Sequence, residues 1–228
     1  MLGILGGTFD PIHHGHLRTA LDVAEAVGLD EVRLIPLRHA VHRGQPETPA
    51  ALRLAMVQAA IAGEPRFVAD DREIRRDAPS YTLHTLQSLR AERGTVEPIC
   101  VLVGGDAFAE FLTWHRPHDI LGLAHLVVMQ RPGEPVAEDP ALRALVERRR
   151  APDGAQLQTR PSGRILFQAV TQLAISATDI RARLRAGRSV RYLVPDAVAD
   201  IIGREGLYAP PAPGRAAGPG PGRGGDAL

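Results

Sequence analysis

The 228-residue chain contains no lysine and no asparagine, so all 27 of its permanently basic side chains are arginines. Without lysine there is no Schiff base and no amine nucleophile. Any side-chain cation that sits on a phosphate must then be a planar guanidinium fork. The bias runs through the whole chain, with alanine, glycine and proline in excess, and reads as genome composition. A single cysteine, Cys100, leaves no disulfide framework and fits a reducing cytoplasm. No apolar run approaches the ~20 residues that span a bilayer. The opening MLGILGG lacks the basic n-region of a signal peptide. A formal net charge of +1 excludes the basic coat of a nucleic-acid binder. The chain is therefore expected in the cytoplasm, with neither nucleic acid nor membrane as partner.

At 44% hydrophobic, the chain has enough apolar material for one sizeable core. Apolar runs at residues 2–5, 31–36, 66–69, 98–103, 125–129 and 164–169 read as strands, most of them buried on both faces. Helix-like stretches stand between or after them at 17–27, 49–62, 81–93, 140–150, 177–186 and 196–204. This alternation predicts a doubly wound, Rossmann-like parallel α/β sheet with helices on both faces and a small C-terminal helical part. The predicted domain is 1–208. Residues 209–228 form a proline-, glycine- and alanine-rich tail expected to be disordered. Ligands in such sheets bind beyond the carboxyl ends of the strands, so 6–16, 104–106 and 130–133 are expected to converge.

The first of these segments, GGTFDPIHHGHL, carries the chemistry. Gly6 and Gly7 are expected to permit a tight bend and a close approach to a ligand. The helix that follows should turn its free N–H groups and positive dipole end on the same spot. His13 and His16 add imidazoles able to donate to phosphate oxygens, with His14 as spacer. A metal site is the alternative, but no cysteine or carboxylate cluster stands nearby, and Asp10 before Pro11 reads as a turn former. No dedicated metal site is expected. A second segment, ISATDIRARLR, opens a helix with Ser176 and Asp179 in capping-box spacing. Arg181 on its first turn, beside the hydroxyls of Ser176 and Thr178, would complete an anion clamp. A plain helix cap explains that segment equally well on its own.

Together the two motifs resemble the HxGH-type nucleotidyltransferases, which join an adenylyl group to a phosphate acceptor. Within them the chain is most similar to the nicotinate-nucleotide adenylyltransferases of bacterial NAD synthesis. Supporting segments are EVRLIP, DDREIRRDAPSYTLHTL, VLVGGDAFAEFLTWH, HLVVMQRPG and GREGLY, and the likeness spans about residues 2–208. The resemblance implies that His13, His16 and Arg181 hold ATP phosphates and neutralise charge in the transition state. It implies that Gly6, Gly7, Thr8 and Phe9 lie against the nucleotide, that Gly104 and Asp106 contact the ribose side, and that Arg131 lies near the adenine. Ser176 and Thr178 would share the phosphate clamp. Ser80, Tyr81 and Thr82 would recognise the nicotinate carboxylate, Trp114 would stack on the pyridine ring, and His42 and Arg43 would close over the acceptor.

Residues of these types also have ordinary readings. Asp106 could cap the helix that follows it, Ser80–Thr82 could cap the helix near Tyr81, and a lone tryptophan more often packs in a core. The loop LRHAVHRGQPETP and the glutamine of QRPG depart from the family pattern. The implied reaction is in-line attack of nicotinate mononucleotide on the α-phosphorus of ATP, giving deamido-NAD and pyrophosphate. Mg²⁺ would be bound through ATP phosphates and water. Rival acceptors are nicotinamide mononucleotide and phosphopantetheine. A non-catalytic nucleotide-sensing module is the rival of another class. Self-association is left open.

Overall fold

The computed structural model describes residues 1–38, 45–130 and 139–209. Six strands, β1 (Leu2–Gly7), β2 (Glu31–Pro36), β3 (Phe67–Ala69), β4 (Ile99–Gly104), β5 (His125–Gln130) and β6 (Ile165–Ala169), form one sheet in the order β3-β2-β1-β4-β5-β6. Every pairing is parallel. The helices are α1 (His14–Val27), α2 (Ala50–Ile61), α3 (Arg72–Arg75), α4 (Thr82–Arg93), α5 (Gly105–Ala109), α6 (Pro117–Leu123), α7 (Pro140–Arg149), α8 (Ala155–Gln158), α9 (Ala177–Arg185) and α10 (Asp196–Arg204). A 3-10 turn covers Phe111–Thr113. The strand order reverses between β1 and β4, which makes the doubly wound architecture with its ligand crevice at that switch point.

Alternation along the central strands builds two cores. In β4, Cys100 and Leu102 join Val23 and Val27 of α1, Met56 of α2 and Val198 of α10 on one face. Ile99, Val101 and Val103 join Leu86 of α4, Leu121 of α6 and Leu145 of α7 on the other. Burial on both faces explains why these strands read as continuous apolar runs. Cys100 is fully buried and its thiol is pushed up to about 12 by desolvation, which removes it as a nucleophile.

Helix ends follow local chemistry. α1 stops at Gly28, whose φ of 75° is a left-handed cap that a side chain would resist, with its N–H on the Ala24 carbonyl. α7 opens with Asp139 accepting from the Leu142 N–H at 2.8 Å and Pro140 at the first position. The largest boundary difference from expectation is at α1, which begins at His14, a turn earlier than residue 17, so His16 lies on the helix. The tail beyond residue 209 lies outside the described residues, as do His42, Arg43 and Arg131.

β1 pairs with β2 along all six of its residues, but with β4 only from Leu2 to Ile4. The last halves of β1 and β4 therefore flank the crevice without a ladder between them. A Cβ built on Gly6 or on Gly104 would meet nothing within 4 Å. Both strand ends face open space where a nucleotide could lie.

Candidate active site

The opening loop does not bend at its glycines. Gly6 and Gly7 are the extended end of β1, and the turn is made by Phe9, at φ 48°, and the cis Asp10–Pro11 bond. Gly7 is needed for space: a Cβ there would stand 2.9 Å from the Phe9 ring. The buried Phe9 ring in turn packs edge-on against His16, with centroids 5.2 Å apart. The expectation that the paired glycines form the turn is corrected on this ground.

His13 and His16 stack, with ring centroids 3.7 Å apart and planes 24° from parallel. Gly15 makes this possible, because a Cβ at 15 would stand 3.0 Å from Cε1 and Nδ1 of His13. The same position lies 3.6 Å from the Ile175 carbonyl, which brings the second motif against the first. His16 Nδ1 accepts from the His13 backbone N–H at 3.3 Å. That bond assigns the tautomer with Nε2–H left to donate outward. His13 Nδ1 is buried without a partner among the described residues.

Desolvation, reinforced by the neighbouring His14, lowers the His13 pKa to about 4. Desolvation and then the charge of His13 lower His16 to about 3. Without ligand both rings are therefore neutral near pH 7. In that state they supply N–H donors, and the permanent cation is arginine. The N-terminus of α1 is also less free than expected. His14 N–H donates to Leu193 O at 3.1 Å, and His16 and Leu17 N–H both turn to His13 O. Only Gly15 N–H in the first turn has no partner among the described residues.

Arg181 reaches from α9 to the opening loop. Its Nη1 donates to Asp10 O at 2.8 Å, its Nε to Glu47 at 3.0 Å, and its Nη2 lies 3.5 Å from Thr178 Oγ1. Ser176 caps α9 by accepting from Asp179 N–H at 3.1 Å. The capping role is real, and it aims the helix start at the loop. Asp10 is the hub beneath. Its buried carboxylate accepts from Glu47 N–H at 2.8 Å and from the Tyr208 hydroxyl, which itself accepts from Thr48 Oγ1 at 2.7 Å. Burial, then the bond to Asp10, raises the Tyr208 pKa, so the hydroxyl stays a donor.

Arg53, on α2, was not expected here. The residue is 1% exposed, and its guanidinium donates to Thr8 O and Leu37 O, both at 2.7 Å, and to Thr48 O at 3.0 Å. Three carbonyls from two loops, the β1–α1 and β2–α2 connections, are tied to one cation. An arginine inside an otherwise apolar helix period is the only signal that could have pointed to it.

Beyond β4, Gly104 is the cap residue of α5, and Asp106 sits exposed in its first turn with no side-chain bond to a described residue. Asp106 is therefore not the cap, and its carboxylate is available to a ligand. Tyr81 occupies the cap position of α4, also without a side-chain cap bond, so Ser80 and Thr82 are not capping groups. Ser80 Oγ instead accepts from Arg38 N–H at 3.2 Å, tying this segment to the exit of β2. The Tyr81 ring stacks on His115, centroids 4.6 Å apart. Trp114, next to His115, packs edge-on against Phe111 at 5.5 Å and is only partly buried. Tyr81 and the Trp114 segment thus share one place, and His115 belongs to the group although sequence reasoning missed it. Among the described residues no group of three or more His, Cys, Asp or Glu side chains is placed to hold a metal ion. No helix among them is long and apolar enough to cross a membrane.

A cytidylyltransferase-like family model matches residues 4–183. The "Probable nicotinate-nucleotide adenylyltransferase" of Pseudomonas fluorescens is 49% identical over 210 residues, covering 92% of this chain and 98% of that protein. Its namesake in Methylococcus capsulatus is 48% identical over 92% of this chain and 100% of its own. Two solved structures of Plasmodium falciparum nicotinic acid mononucleotide adenylyltransferase, one complexed with APC and one with NaAD, share the fold. Each has a TM-score of 0.67, at 15% and 14% identity, over 91% of this chain and 96% of that one. By the matched family model and by relatives alike along nearly their whole length, this chain belongs to the cytidylyltransferase-like family and, within it, to the nicotinate-nucleotide adenylyltransferases.

Proposed function

We propose that the chain transfers the adenylyl group of ATP to the 5′-phosphate of nicotinate mononucleotide, giving deamido-NAD and pyrophosphate, in the cytoplasm. The observation that carries this reading is the Arg181 guanidinium seated on the Asp10 carbonyl, three residues before His13. A fixed cation and two imidazoles from opposite ends of the chain then border one crevice. A phosphate oxygen of the acceptor forms a bond to the α-phosphorus as the bond to the β-phosphate bridging oxygen breaks. That oxygen is anionic at neutral pH, so no general base and no protein nucleophile are required. The protein orients the reactants and stabilises developing charge. His16 Nε2–H donates to the α-phosphate, and Arg181 with the Ser176 and Thr178 hydroxyls holds the leaving pyrophosphate. Gly6, Gly104 and Asp106 line the ribose side, and Ser80, Tyr81, Thr82 and Trp114 receive the pyridine ring and its carboxylate. Mg²⁺ enters as part of the substrate, carried on phosphate oxygens and water.

Pyrophosphate release is measured with ATP and, in turn, nicotinate mononucleotide, nicotinamide mononucleotide and phosphopantetheine. Release with the first acceptor above the other two is the expected result. His16→Ala, still folded by circular dichroism, should lose about 10²–10³-fold in turnover. Retention of more than about a tenth of wild-type turnover would remove His16 from the chemistry. Binding of ATP with no release from any acceptor would favour the nucleotide-sensing module instead.

A further inference from the structure

Arg181 does not wait alone for its anion. Residues four apart on a helix project from the same side, and Arg185 lies one turn along α9 from Arg181. Both guanidinia close on one carboxylate: Arg181 Nε donates to Glu47 Oε1 at 3.0 Å, and Arg185 donates to Glu47 Oε2. Arg183, between them, points elsewhere and pairs with Asp179 at 2.7 Å. Among the described residues Glu47 is the only carboxylate paired with either Arg181 or Arg185. The Glu47 backbone is pinned separately, its N–H on buried Asp10. The carboxylate is thus delivered to the two arginines from the far side of the opening loop.

From this geometry we infer that Arg185 is a second cation of the triphosphate site and that Glu47 is its resident anion, displaced when nucleotide binds. This rests on the ATP reading of the site given above. One carboxylate leaves the two guanidinia with a surplus positive charge, whereas a triphosphate satisfies both and keeps negative charge over. The Glu47 side chain is 45% exposed, so it can turn out to water while its backbone bond to Asp10 stays. Arg181 Nη1 can remain on the Asp10 carbonyl during the exchange, since it is Nε that holds the Glu47 carboxylate and Nη2 lies beside Thr178 Oγ1. Arg185→Gln and Arg181→Gln each remove one cation. Glu47→Gln keeps the length of the side chain and the backbone bond and removes only the competing charge.

The test is the dissociation constant for ATP, and separately for inorganic triphosphate, measured by titration calorimetry on the full chain. Glu47→Gln should bind both probes about threefold to tenfold more tightly, and Arg185→Gln about threefold to tenfold more weakly. Arg185→Lys should recover part of the loss, because the charge returns without the fork. Unchanged or weaker binding by Glu47→Gln, with Arg181→Gln still weakened, overturns the exchange and leaves the Arg181 clamp standing. Wild-type affinity in Arg185→Gln overturns the role of Arg185. Wild-type affinity in Arg181→Gln overturns the ATP reading on which the inference depends. Melting curves without nucleotide establish that each variant is folded before its affinity is read.

Discussion

At the scale of single residues, the stacked pair of His13 and His16 ties binding chemistry to stability. Burial holds their pKa values at about 4 and about 3 in the folded chain, whereas an unfolded imidazole titrates near 6.5. Between those values the unfolded state carries more protons, so folding stability rises with pH across that window and is lost on acidification. Wild-type protein without nucleotide should therefore lose stability, on the order of a few kcal/mol, as pH falls from about 6.5 to about 4. A His13→Gln/His16→Gln protein should show a flatter profile in urea titrations across that range. Equal slopes for the two would mean that the rings are solvated in solution. The histidines were legible from their spacing alone. Gly15 was not, because its reason is the 3.0 Å approach of the His13 ring to the place where a Cβ would be. The alternative of Asp106 as a helix cap does not hold, because α5 starts at Gly105, two residues before the 107 that a cap at 106 would require.

At the scale of elements, the long pieces follow directly from sequence pattern, since β2 (Glu31–Pro36) and α10 (Asp196–Arg204) have the bounds that periodicity and apolar runs indicate. The short helices α3, α6 and α8 were not read, since four to seven residues hold too few turns to show a period. The buried Arg53 belongs to this scale, because its work is to join α2 to three carbonyls in two loops. Replacing it removes donors from three carbonyls and leaves them without partners, a cost that exceeds a lost surface contact. Arg53→Met should lower stability by roughly 2–4 kcal/mol in urea titration. Arg75→Met, which breaks only an exposed pair with Asp71, should stay within about 0.5 kcal/mol. Similar midpoints for the two variants would show that the Arg53 bonds contribute no more than a surface pair.

At the scale of the whole molecule, the fold brings Asp10, Thr48, Arg181 and Tyr208 into one network although as many as 198 residues separate its members. That network carries no periodic signature, and sequence reasoning reached it only by recognising two motifs that occur together. Tyr208 and Glu47 were missed for the same reason: their importance lies in what they touch across the fold, not in any local pattern. The doubly wound order explains the meeting. β1 ends at the switch point, and α9 and α10 return the chain to the face where β1 and α1 join.

The most direct measurement is a crystal structure of the full chain with a non-hydrolysable ATP analogue. The triphosphate should lie beyond the ends of β1 and β4, with His16 Nε2 and the Arg181 guanidinium both within hydrogen-bond distance of its oxygens. A triphosphate held elsewhere, with Arg181 still on Asp10 and Glu47 and no phosphate beside His16, would contradict a single site built from both ends of the chain.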